Sequence, residues 1–399
     1  MAKIPDALRI KGGPMRTILA TVAAVLAVQF GAAALVIWSG LYNVAASEEH
    51  LPWTRWILTW TLTNSVETHA AASSSTPPLD DPSLFYRGLG HYEGACSPCH
   101  GAPDQPRNAV ALRMLPQPPY LPDRIEEWEP AELFWIVKHG FKYTGMPAWP
   151  AQTRDDEVWA MVAFLLRLPE LDAQEYGRLA QSGAAVDPLD VPESAQLIAS
   201  AGPVGDSLVA CSRCHGMRGM GGGAGAFPRL AGQKLEYLYE SLLSYASGAR
   251  PSGIMQTVAS QLTDDQMAKL SAFYAGISAP LPVVEKSADP AALRLGALIA
   301  ERGVAETNTP ACGSCHGLDG TAAGNAPLFP ALDGQWADYL ALQLRLFRDG
   351  RRGNTATAQI MAAAVSRMTD EQMDAVALYY ASQSRPPPPA PVPPPAPPN

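Results

Sequence analysis

Three times in this chain two cysteines stand three positions apart with a histidine directly after the second: Cys96-Ser-Pro-Cys99-His100, Cys211-Ser-Arg-Cys214-His215 and Cys312-Gly-Ser-Cys315-His316. They account for all 6 cysteines in 399 residues, so none is left for a disulfide or a catalytic thiol. The spacing sets two thiols about one helical turn apart and puts an imidazole beside them. That arrangement captures haem: two thioether bonds to the vinyl groups fix the macrocycle, and the histidine reaches its iron. Zinc is the rival ion. A closed zinc site takes four ligands, usually from two paired knuckles, and each unit here supplies three. A thioredoxin-like redox pair needs a βαβ setting and would not require the histidine.

The elements that must position these residues read as helices. No stretch shows sustained two-residue alternation, so the expected fold class is all-α. A helix-start signal recurs near the end of each unit: Thr153 with Asp156, Thr263 with Gln266, and Thr369 with Gln372. Each precedes an apolar-periodic run, in which Met267 and Met373 read as core. The second and third units share Leu-x-Gly-Gln at Leu230–Gln233 and Leu332–Gln335, and an Arg-bearing loop at Gly248–Arg250 and Gly350–Arg352. Stretches rich in Pro, Ala and Asp near 177–192 and 279–290 read as linkers, as does Ser73–Pro78.

Ahead of these units, Thr17–Trp38 is apolar apart from Gln29. At ~1.5 Å per residue its length is about 33 Å, enough to cross a bilayer core. Lys3, Arg9, Lys11 and Arg16 precede it against a single Asp6, which puts the N-terminus in the cytoplasm. A cleaved signal peptide is the alternative, but its apolar run is usually shorter. Trp53, Trp56, Ile57 and Trp60 then form a stripe suited either to the membrane interface or to packing on the first unit. The expected division is a cytoplasmic N-terminus (1–16), a transmembrane anchor (17–38), and an interfacial helix with linker (39–80). Three domains follow (81–176, 190–280, 288–384), then a proline-rich disordered tail (385–399). Units this small need help with their cores, which a large apolar cofactor supplies.

The body over residues 83–384 resembles class I c-type cytochromes. The second and third units together resemble diheme tandem cytochromes of the c-four type through Cys-x-x-Cys-His-Gly, Pro-x-Leu, Leu-x-Gly-Gln and the Gly-x-Arg loop. The first resembles single-haem domains with a Thr-Gly-Met-Pro segment, here Thr144–Pro147, and lacks Leu-x-Gly-Gln. The resemblance implies three small cytochrome c domains behind one transmembrane helix, with three covalently bound haem c groups. It also implies that Pro119, Pro228 and Pro330 offer their carbonyls to His100, His215 and His316. Units two and three hold no spare histidine, which leaves methionine as the sixth iron ligand. The resemblance puts that ligand at Met146, Met255 and Met361. Met114 and Met368 compete with the first and third of these, and His91 or His139 offers a bis-histidine alternative for the first haem.

His/Met iron has no open position, so no catalytic residue is expected and the role is that of a single-electron wire. The net charge of −9 argues against nucleic acid as a partner. Expected partners are membrane lipid and redox proteins: a quinol-oxidising complex or dehydrogenase as donor and a terminal oxidase as acceptor. The alternative role is the cytochrome subunit of an alcohol- or aldehyde-type dehydrogenase. The expected location is a bacterial inner membrane, single-pass, with periplasmic haem domains serving a respiratory chain. Residues 80–176 carry 15 acidic and 8 basic side chains, whereas Arg345, Arg348, Arg351 and Arg352 cluster in the third unit. These two surfaces are expected to dock different partners.

Overall fold

The computed structural model describes residues 13–71, 76–182, 202–222, 224–277, 289–322 and 326–383. The first 12 residues, parts of the three linkers and the proline tail lie outside the described residues. Two compact units part between Leu58 and Thr59. In the first, helix Gly13–Ser39 contains the expected span. Among the described residues it is the one helix long and apolar enough to cross a membrane. Trp53 and Trp56 open the helix Pro52–Ala70 with their rings 63% and 65% exposed. The later turns of that helix, in the second unit, bury Val66 and Ala70, and His69 lies 5.7 Å from the Trp135 ring. Those turns pack on the first domain, while Trp60 stays exposed.

The second unit is helical and holds no named strand among the described residues, only isolated bridges. In the first domain an opening helix, Pro82–His91, crosses a closing helix, Asp155–Arg167. Asp81 caps the opening helix by accepting from the Ser83 N–H at 2.8 Å, and Pro82 fills the first helical position. Glu157 through Leu165 are all buried, so the closing helix forms the centre of this core with Leu89, Tyr92 and Phe134. At the crossing, a methyl on Gly88 would overlap the Ala160 carbonyl and Phe164 Cβ. The third domain repeats this with Pro290–Arg302 and Asp370–Ala381, where Gly296 faces the Ala375 carbonyl and Tyr379. Gly205–His215 and Asp264–Ala275 serve the second domain, around Leu208, Leu270 and Tyr274.

Two of the three expected helix starts form capping boxes, at Thr263/Gln266 and Thr369/Gln372; such a cap contributes about 1 kcal/mol. The third does not. Arg154, not Thr153, precedes the first helical residue, and its guanidinium takes the Asp156 carboxylate at 2.8 and 2.9 Å. A capping box does open the helix Pro130–His139, from Glu129 and Glu132. The helix Ala173–Ser182 occupies the start of the stretch read as a linker from 177. Its Tyr176 is buried and donates to Glu93 at 2.5 Å, which ties it to the first domain.

The second and third domains are joined by a reciprocal exchange. Gln233 donates to the Ala331 carbonyl and accepts from its N–H, both at 2.9 Å. Gln335 accepts from the Arg229 N–H at 2.9 Å and donates to its carbonyl at 3.0 Å. Each glutamine of a Leu-x-Gly-Gln segment thus grips the middle residue of the other domain's Pro-x-Leu segment. The first domain, which has no such glutamine, is outside this exchange.

Candidate haem sites

Each motif histidine ends a helical turn, and the glycine after it stops the helix. Gly101, Gly216 and Gly317 take φ of 74°, 79° and 76°, a region that penalises any Cβ. The chain then returns so that a proline carbonyl meets each ring. His100 Nδ1 lies 3.0 Å from Pro119 O, His215 Nδ1 3.0 Å from Pro228 O, and His316 Nδ1 3.0 Å from Pro330 O. A carbonyl only accepts, so Nδ1 carries the proton and Nε2 keeps its lone pair. Burial depresses the pKa of all three rings against the opposing pull of that hydrogen bond, and they stay neutral. A neutral imidazole with its tautomer fixed by a carbonyl is prepared to ligate metal through Nε2.

None of the thiols beside them is in a disulfide. Burial pushes Cys96 and Cys214 up to about 12, and Cys211 and Cys312 up to about 11. Among the described residues no three His, Cys, Asp or Glu side chains gather as an ion site, so zinc finds no donor set there. The arrangement fits haem c instead: two thiols for thioethers, one poised Nε2, and methionines within the same domain.

Met146, Met255 and Met361 are all partly buried, whereas Met267, Met368 and Met373 are 3%, 3% and 0% exposed within their cores. Met114 stands over Gly145, so the first domain brings two thioethers to one loop. His91 lies tilted against Trp149 at 4.8 Å, and His139 ends its helix beside Trp135 at 5.2 Å.

One feature of the second and third domains also suits haem. Arg250 and Arg352 are 6% and 8% exposed, and neither forms an ion pair with a carboxylate among the described residues. Arg250 instead donates to Ser241, Tyr339 and Gln343, and Arg352 to Gln343 and Tyr237. Two buried guanidiniums close to each other and hydrogen-bonded only to neutral groups are costly without an anion, and haem brings two propionates.

The arginines of the expected basic docking loop are not all open. Arg345 is paired with Asp374 at 2.6 Å and Arg348 with Asp370 at 2.7 Å, while Arg352 faces inward between the domains. Neighbouring carboxylates pair with two of its four arginines.

A family model described as "Cytochrome C oxidase, cbb3-type, subunit III" matches residues 85–165, and one described as "Cytochrome c" matches 205–277 and 300–384. The "Thiosulfate dehydrogenase electron acceptor" of Stutzerimonas stutzeri (strain A1501) is 38% identical over 188 residues, covering 47% of this chain and 85% of that protein. The protein of the same description from Thiomonas intermedia (strain K12) is 37% identical, covering 44% and 80%. "Cytochrome c4" of Thiocapsa roseopersicina is 34% identical, covering 44% and 88%. Three imidazoles held alike beside paired thiols, in helical domains that match these relatives, place the chain among the electron-transferring c-type cytochromes, of the cytochrome c4 type.

Proposed function

We propose that this protein is a membrane-anchored relay with three covalently bound haem c groups. It takes single electrons from a dehydrogenase or quinol-oxidising complex and delivers them to a terminal oxidase. The observation that carries this reading is the recurrence of one geometry, Nδ1 to proline carbonyl at 3.0 Å, in all three domains. Haem c supplies a one-electron iron couple at each site. The chain's own part is to hold and tune it. Cys96, Cys99, Cys211, Cys214, Cys312 and Cys315 are the thioether sulfurs; His100, His215 and His316 the proximal ligands; Met146, Met255 and Met361 the distal ones. The proline carbonyls fix each ring and raise its donor strength. The glutamine exchange keeps two of the sites at a set separation.

The relatives described as electron acceptors of thiosulfate dehydrogenase support a dehydrogenase as donor, and the oxidase-subunit match of residues 85–165 supports an oxidase as acceptor. The same relatives favour a second reading, a stable cytochrome subunit of a dehydrogenase complex. The helix Gly13–Ser39 is the anchor, with the haem domains on the periplasmic face of a bacterial inner membrane. Purification from membranes, haem staining on a denaturing gel and identification of co-eluting subunits test both readings. An intact mass equal to three haems above the polypeptide is expected, and a mass equal to the bare polypeptide overturns the assignment. A co-eluting oxidase core supports the relay; a stoichiometric dehydrogenase supports the subunit.

A further inference from the structure

Glu157 lies in the closing helix of the first domain at 4% exposure, yet much of its hydrogen bonding goes to the second domain. Within its own domain it accepts from Trp149 Nε1 at 3.2 Å and pairs with Arg154 at 3.0 Å. Across the joint it accepts from Ser252 Oγ and from the Gly253 N–H, both at 2.6 Å. Ser252 Oγ in turn accepts from the Met255 N–H at 3.0 Å, capping the helix Gly253–Ala259. Arg154 adds a bond to the Pro251 carbonyl at 2.7 Å. The Trp149 ring lies so close to Gly253 that a Cβ there would overlap it, and Ile254 packs onto the first domain's core. Four consecutive residues, 251–254, are therefore held from outside their own domain, and Ser252 passes that hold to the Met255 N–H. In the third domain the matching helix, Ala356–Val365, is capped by its own Thr355, which accepts from the Ala358 N–H at 3.2 Å.

We propose that Glu157 is a positioning residue for the distal ligand of the second haem. By fixing Ser252 and Gly253, the first domain sets how the Met255 thioether approaches iron, and so sets that haem's potential. Thioether ligation raises a haem's potential, so a weakened approach of the Met255 sulfur lowers it. The inference rests on the reading of Met255 as a ligand, and the variants are chosen to separate the two.

The full-length protein, matured with its haems, is titrated potentiometrically while the far-red methionine-to-ferric-iron charge-transfer band is recorded. Met255→His is expected to displace one wave downward and remove part of the band, which identifies the second haem. Glu157→Ala is expected to lower that same wave about tenfold in the reduced-to-oxidised ratio, ~59 mV for one electron, leaving the other two in place. Glu157→Gln, which keeps an accepting oxygen, recovers part of the shift. If Met255→His moves no wave, the ligand reading falls and the inference with it. If Met255→His moves a wave that Glu157→Ala leaves alone, or if Glu157→Ala moves all three equally, the ligand reading stands and the positioning role is overturned. Should Glu157→Ala fail to keep its haems, Ser252→Ala decides, since it removes the hydroxyl that joins Glu157 to the Met255 N–H and leaves the Glu157 bonds to Gly253, Arg154 and Trp149 in place. A shift confined to the second wave supports the role, and none refutes it.

Discussion

Replacing Gln233 with alanine strips both partners from the backbone of Ala331, a residue 98 positions away in the next domain. The Ala331 N–H and carbonyl are buried, and Gln233 itself is 5% exposed. An unsatisfied buried group costs about 1–3 kcal/mol, so the two together predict a loss of about 2–6 kcal/mol in the stability of the joined pair. Ala331 directly follows Pro330, whose carbonyl orients His316. The electronic consequence is therefore crossed: Gln233→Ala, in the second domain, shifts the potential of the third haem, and Gln335→Ala shifts that of the second through Arg229 and Pro228. Urea titration followed by far-UV circular dichroism gives the stability, and potentiometry gives the haems. A stability change below about 0.5 kcal/mol, or a shift at the mutated domain's own haem alone, refutes the reasoning.

Gly296→Val drives a branched side chain into the Ala375 carbonyl and Tyr379, and the helix crossing has no room to yield. Such overpacking costs about 1–3 kcal/mol or more, seen as a lower thermal midpoint of the third domain's circular dichroism. Burial holds the His91 imidazole down to about 4. The unfolded chain takes up that proton at its ordinary value near 6.5, so stability is full above about pH 6.5 and declines as pH falls towards 4, by about 3 kcal/mol in total. His91→Phe removes that part of the slope in urea midpoints measured between pH 7 and 4.5. Met146→His lowers the potential of one haem only, whereas Met114→Leu leaves all three in place; the reverse pattern in a potentiometric titration would make Met114 the ligand.

The motifs were legible because their spacing is local. Cys-x-x-Cys-His-Gly specifies a helical turn and its stop within six residues, and a helix start needs only Thr263 with Gln266 or Thr369 with Gln372. At Thr153 the same local pattern misleads, because Arg154 competes for Asp156. The joints were not legible. Leu-x-Gly-Gln stands out as a repeat, yet its partners are backbone groups about a hundred residues away, which no side-chain pattern announces. Glu157 left a faint trace: it falls on the same helical face as Met161 and Phe164, an acidic group where the stripe calls for an apolar one. The arginine cluster looked open because its carboxylates, Asp370 and Asp374, belong to a separate helix.

Because the glutamine exchange reads only main-chain atoms, it is blind to which amino acid stands at 229 or 331. Arginine occupies one place and alanine the other, and the seam closes alike around both. Arg229 lays its side chain on the face of Trp336 in the third domain, 4.5 Å away, so it adds a contact of its own across the seam. The hydrogen-bonded fastening beside His215 and His316 thus does not depend on the side chain at its centre. At 229 the side chain can change to suit a new redox neighbour while those four hydrogen bonds stay in place, whereas the buried Ala331 leaves no such room.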